Sequence, residues 1–183
     1  MAAEAAKRRR VHAVTPVEPA AIPVKKPRGP NDVRLRRMLG GALQKPVWPD
    51  GFSLRTFEPA DASDAHALLT RVFDDGADGS FEEWWARVSG DAEFDPELFF
   101  VVHDASGQLA AIALCWTSAF LKDLAVDPGA RRLGVGEALM WHVFSVFQAR
   151  GAARLDLKTD LVENADAVRL YRRLDMIEVD WEG

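Results

Sequence analysis

The 183 residues carry 23 Lys and Arg against 28 Asp and Glu, a net charge of -5, and 48% of them are hydrophobic. That length supports one domain with a sizeable core, and the composition is that of an ordinary globular chain rather than a disordered or fibrous one. No apolar run approaches the roughly 20 residues of a membrane span, and the basic start Lys7–Arg10 leads into Pro16, Pro19 and Pro23 instead of the apolar stretch of a secretory leader. With Cys115 as the single cysteine, no internal disulfide forms, and the expected location is cytoplasmic.

The charge is unevenly spread. Residues 1–50 hold eleven of the Lys and Arg and four acids, a net +7, which leaves -12 for residues 51–183. The same first 50 residues hold seven of the ten prolines. Proline removes backbone donors and like charges repel, so this arm is read as a flexible, basic extension up to residue 50. Within it, Val33, Leu35, Met38, Leu39 and Leu43 suggest a short helix over 33–43, weakened by Gly40 and Gly41. A nucleic-acid tether is disfavoured, because the arm has no Tyr or Phe to stack bases and its one Trp, Trp48, lies at its end.

From Gly51 the pattern becomes that of a folded domain over 51–183. Phe52 to Phe57 alternates with period two, as a strand does, and stops before Pro59. Asp61 or Ser63 caps a helix with Ala65, Leu68, Leu69 and Val72 on its apolar face, and a second helix begins near Ser80 with Trp84, Trp85 and Val88. Leu98–His103, the turn 104–107 and Leu109–Trp116 read as a hairpin. A strand Phe120–Val126 then runs through Asp127-Pro128-Gly129 into a helix over 136–150, which ends at Arg150 and Gly151. Leu155 and Leu157 alternate in a strand, Asn164 opens a helix with Ala167, Leu170, Tyr171 and Leu174, and Met176–Trp181 is a last strand. Antiparallel strands first and a strand–helix–strand–helix–strand unit last make an α+β mixed sheet.

The stretch Leu124-Ala-Val-Asp-Pro-Gly-Ala-Arg131-Arg132-Leu133-Gly134-Val135-Gly136 places a tight glycine turn at a helix N-terminus. Free backbone N–H groups there attract an anion, Gly134 and Gly136 leave room for a phosphate, and Arg131 or Arg132 adds fixed charge, so a diphosphate is the natural ligand. The spacing Arg-x-x-Gly-x-Gly resembles the acyl-CoA pyrophosphate loop of the GNAT acetyltransferase superfamily. Asn164-Ala-Asp-Ala167-Val-Arg-Leu170-Tyr171 resembles that family's second signature. Both stand in the family's order across roughly residues 51–181. A dinucleotide fingerprint is the rival, with Asp156 about 20 residues on, but Leu139 occupies the position of its third small residue and the upstream hairpin does not suit a doubly wound sheet.

The resemblance implies a GNAT fold, mostly antiparallel, in which two central parallel strands splay around acetyl-CoA. It implies that the backbone of Leu124, Ala125 and Val126 holds the pantetheine, and that the amides of Leu133, Gly134, Val135 and Gly136 hold the pyrophosphate. Asn164 then reaches the pantetheine or simply caps its helix. Tyr171, the only tyrosine, is implied as the proton donor to the departing thiolate, although it also shares its helix's apolar face. Asp123, beside that strand, is our candidate for taking the amine's proton. No metal site is expected, since the four His and one Cys lack ligand spacing. The expected activity is acetyl transfer to a primary amine, with a cationic acceptor favoured by the -12 charge; the alternative is an inactive acyl-CoA-binding sensor or interaction module. Two departures stand out: Asp175 replaces the family's helix-ending glycine, and the chain stops after its sixth expected strand. A sheet edge left bare by that stop suggests a homodimer through the C-terminal strand, or cover from residues 11–17 of the arm.

Overall fold

The computed structural model describes residues 29–181. The arm up to residue 28, including the stretch 11–17 considered as edge cover, lies outside the described residues. In chain order the elements are β1 (Asp32–Met38), β2 (Ser53–Thr56), α1 (Ala62–Phe73), α2 (Phe81–Ser89), β3 (Phe94–His103), β4 (Leu109–Trp116), β5 (Phe120–Val126), α3 (Val135–Ala149), β6 (Arg154–Asp160), α4 (Ala165–Arg173) and β7 (Ile177–Val179). They form one seven-stranded sheet of order β2-β3-β4-β5-β6-β1-β7. Strand pairing is antiparallel everywhere except between β5 and β6.

Both faces of the sheet are covered at its centre. Phe99 and Val101 of β3 with Ile112 and Leu114 of β4 pack against Leu68, Leu69 and Trp84 of α1 and α2. The alternate residues Leu98, Phe100 and Val102 face Leu139, Val143, Phe144 and Phe147 of α3. Successive strand residues point to opposite faces, so a strand buried on both sides becomes a continuous apolar run, which is what Leu98–Val102 is. Ser80 caps α2 by accepting from Glu83 N–H, and Glu83 returns the bond to Ser80 N–H. Among the described residues no helix is long and apolar enough to cross a membrane.

The structure corrects the reading of residues 33–43. They do not form a helix: Asp32–Met38 is a strand in the sheet, paired along its whole length with β6 and over three residues with β7. Val33 and Leu35 are buried against the α3 side, while Arg34 and Arg36 point to the opposite face. Both arginines converge on Asp156 of β6, with four N–H···O contacts of 2.6–3.1 Å. The Asp156 side chain is only 4% exposed. The charges that make this stretch look like a solvated arm are therefore neutralised inside the sheet. The boundary at residue 50 falls with it, because the folded unit includes β1. The sheet also has its seventh strand: β1 occupies the place between β6 and the short β7, so β6 is paired on that side. β7 stands at the edge of the sheet, with β1 as its partner among the described residues.

Burial opposes the charge on Asp156, but its bonds to Arg36 and Arg34 outweigh burial and hold its carboxyl below the ordinary carboxylate range. A depressed folded-state value means stability that is present above about pH 4 and lost as pH falls through that value. Asp156→Ala leaves two partly buried guanidinium groups uncompensated and is expected to cost about 3–5 kcal/mol. The shift in urea midpoint at neutral pH measures it, and the gap from wild type should narrow below about pH 4. A chain trimmed to residues 51–183 loses β1 and should show no cooperative thermal transition.

Candidate functional site

β5 and β6 pair at only two rungs, Phe120–Asp156 and Leu121–Leu157. Beyond these the strands part. β5 stays paired with β4 up to Ala111–Val126, and β6 stays paired with β1 up to Asp32–Asp160. The facing edges of β5 and β6 are thus held apart by their outer neighbours. A register shift in the β4–β5 ladder beside Lys122 accompanies the parting.

A cavity of about 380 Å³ fills the parting. Asp123 and Leu124 of β5, Leu157 and Thr159 of β6, and Asn164 and Tyr171 of the α4 region line it. Tyr171 is 6% exposed, so its ring packs in the core while its side chain reaches the cavity wall. Burial and then the Asp123 charge push the phenol above its ordinary value. Asp123 pairs with Lys122 at 2.6 Å. Asn164 stands at the N-cap position of α4, yet its side chain makes no capping bond. The residue lines the cavity.

The glycine turn follows the C-terminal end of β5, beyond the parting. Asp127 builds it by accepting from Gly129 N–H at 2.9 Å and from Arg71 at 2.7 Å. Arg132 and Gly134 both take positive φ, 60° and 93°, turning the chain into α3. The amides of Val135, Gly136 and Glu137 open the helix and have no intrahelical acceptor. A Cβ at Gly136 would stand 3.3 Å from Val126 Cγ2 and 3.6 Å from Leu170 Cδ2, so glycine here lets α3 approach both β5 and α4. Arg131 Nε donates to Val126 O at 3.2 Å, which ties the guanidinium to the end of β5. Val135 and Ala125 are fully buried and have only backbone to offer a ligand. Leu133 is 53% exposed and lines, with Gly134, a second cavity of about 320 Å³ against Trp48 and Trp141.

The structure also brings in residues that the sequence reading passed over. Asp75 and Asp78, to which the sequence reading gave no role, line the cavity with Lys122 and Lys158. Asp78 bonds Arg87 at 2.9 Å, while burial and then the nearby Asp123 raise its pKa. No local spacing signals this, since Asp78 and Asp123 meet only through the packing of the α1–α2 turn over β5.

Parted central strands, a glycine turn entering a helix at the parting and a cavity between them define a GNAT-type α+β fold. The sequence model of the acetyltransferase (GNAT) family matches residues 61–176. The chain is 37% identical over 143 residues to a mycothiol acetyltransferase of Beutenbergia cavernae, covering 71% of this chain and 46% of that one. It is 36% identical over 135 residues to the streptothricin acetyltransferase of Streptomyces lavendulae, covering 70% and 64%. A GCN5-related N-acetyltransferase from Sphaerobacter thermophilus superposes with a TM-score of 0.72 at 27% identity, over 81% of this chain and 48% of that one. The chain belongs to the GNAT family. It spans about half the length of the mycothiol acetyltransferases it matches.

The two loop glycines should fail differently. Gly136→Val wedges α3 away from Val126 and Leu170 and should lower both the melting temperature and the affinity for acetyl-CoA. Gly134→Ala meets nothing within 4 Å but takes a φ of 93°, so it should cost only about 1–2 kcal/mol of backbone strain. Calorimetric melts and titrations of the two variants separate these effects.

Proposed function

We propose that this chain transfers an acetyl group from acetyl-CoA directly to an amine. The observation that carries the reading is the cavity between β5 and β6, where a buried phenol and a carboxylate face the same space beside unpaired strand edges. Past Leu121 the β6-facing edge of β5 has no strand partner among the described residues. Although Val126 O accepts from Arg131 Nε, this edge over Leu124, Ala125 and Val126 suits the pantetheine as an added strand. The amides of Leu133 to Gly136, with Arg131 and Arg132, suit the pyrophosphate. Asn164, released from capping, offers its amide to the same ligand.

In this reading Asp123 takes the proton of the incoming ammonium, directly or through water, so that a neutral amine attacks. Tyr171 donates its hydroxyl proton to the thiolate as it leaves. Burial and the Asp123 charge keep the phenol protonated across neutral and mildly alkaline pH, so the donor form is always present. The acceptor side is acidic: residues 58–97, which include the α1–α2 turn at the cavity, hold twelve carboxylates against Arg71 and Arg87. That field favours a cationic acceptor.

Tyr171→Phe keeps the packing and deletes the proton. Turnover should fall by about a hundredfold, with acetyl-CoA affinity within about twofold of wild type. Thiol release and calorimetry with acetyl-CoA measure the two quantities. In the wild type, ionisation of Tyr171 should impose no alkaline fall in kcat below about pH 10. Unchanged turnover in the Phe variant would reduce Tyr171 to a core residue.

A further inference from the structure

Helix α4 ends in a cap that its own sequence does not favour, and the contact that holds the cap comes from β1. Asp175 N–H donates to Arg172 O at 3.1 Å, and Met176 N–H donates to Tyr171 O at 3.0 Å. These two bonds close a Schellman cap, with residue 175 in the left-handed region at a φ of 55°. Glycine is the usual residue there, because an L side chain in that conformation costs on the order of 1 kcal/mol. Met176 and Tyr171 are both buried in the cluster beneath α3, the apolar contact that accompanies such a cap.

Arg37 of β1 braces this turn. Its Nη1 donates to the carbonyl of Leu174 and, at 3.1 Å, to the carboxylate of Asp175. Its guanidinium lies 4.8 Å from the Trp141 ring centroid and 5.1 Å from that of Phe144. The Asp175 side chain is 83% exposed but that of Arg37 only 12%. The guanidinium is therefore held in place by the rings of α3, and an exposed aspartate alone would hold it weakly. The carbonyl that receives the Met176 bond belongs to Tyr171, so the cap and the phenol share one helical turn.

We propose that Arg37 is a positioning residue for Tyr171: by locking the left-handed turn at Asp175, β1 fixes the last turn of α4 and with it the phenol's place in the cavity. This rests on the reading of Tyr171 as proton donor and adds to it a residue outside the matched stretch 61–176. The same contact explains how an aspartate serves where glycine is usual, since the brace compensates the strain.

Tyr171 is the chain's only tyrosine, so a ring-fluorinated tyrosine incorporated into the full chain gives one fluorine NMR signal from this site. Arg37→Met keeps the bulk and removes both bonds. We expect its signal to shift and broaden, and kcat to fall by about tenfold or more as the phenol loses its alignment, with the KM for acetyl-CoA within about twofold of wild type. Asp175→Gly relieves the left-handed strain without help from Arg37, and in the Arg37→Met background it should restore a narrow signal and most of kcat. A folded Arg37→Met variant with the wild-type signal and kcat would overturn the proposal. So would a folded double variant in which glycine restores neither, since Arg37 would then only fill space. If Arg37→Met does not fold, Arg37→Lys, which keeps the charge and loses the fork, is read in the same way. Tyr171→Phe run alongside separates the two claims: undiminished turnover there removes the proton-donor role, while the fluorine signal still reports whether Arg37 holds the ring.

Discussion

The contacts of Arg34 and Arg36 with Asp156 sit at the rung where β5 and β6 begin to part. A parallel pair reduced to two rungs leaves backbone groups exposed along both facing edges, which a sheet ordinarily closes. Here closure is prevented from outside. β4 holds β5 on one flank, β1 holds β6 on the other, and the carboxylate of Asp156 fastens β1 in place. Removing the fastening removes the flank. The cavity therefore depends on an ion cluster that contributes no atom to its chemistry.

Most of the elements were legible because their periodicity is local. The hairpin of β3 and β4, the strand β5 running into its proline turn, and the amphipathic faces of α1 and α4 each follow from residues within one or two turns of chain. β1 was not legible for a physical reason. In Asp-Val-Arg-Leu-Arg-Arg-Met, three of seven side chains are guanidinium groups, a composition that reads as solvated. Its apolar residues Val33, Leu35, Met38 and Leu39 fit a helix as well as a strand. What makes it a strand is Asp156, about 120 residues away in sequence, and no window around residue 34 contains that information. Asp78 escaped for the same reason, since a turn aspartate gains a role only when α1 and α2 fold over β5.

The candidate site divides along the same line. The glycine turn was readable because the helix N-terminus, the positive φ at Gly134 and the close approach at Gly136 are all requirements of short chain segments. Tyr171 and Asn164 were readable from their spacing on one helix. The chemical state of Tyr171 was not, because it arises from burial and from Asp123 on a different strand. That Asn164 makes no capping bond likewise depends on where a side chain turns, which spacing leaves open.

The charge asymmetry of the chain acquires a different meaning once β1 is in the sheet. Read linearly, it separates a basic arm from an acidic domain. In the fold, part of the basic segment becomes internal: Arg34 and Arg36 lie on Asp156, and Arg37 lies on the end of α4. Residues 58–97 hold twelve carboxylates against Arg71 and Arg87, and two of these carboxylates, Asp75 and Asp78, line the cavity on its other flank. The two parted strands thus run between a flank whose arginines lie on Asp156 and a flank with an excess of carboxylates. The net negative charge of the second favours a cation diffusing within a Debye length of roughly 8–10 Å. In the proposed reading an acceptor amine approaches from the α1–α2 side, and the diphosphate of acetyl-CoA lies at the positive N-terminus of α3.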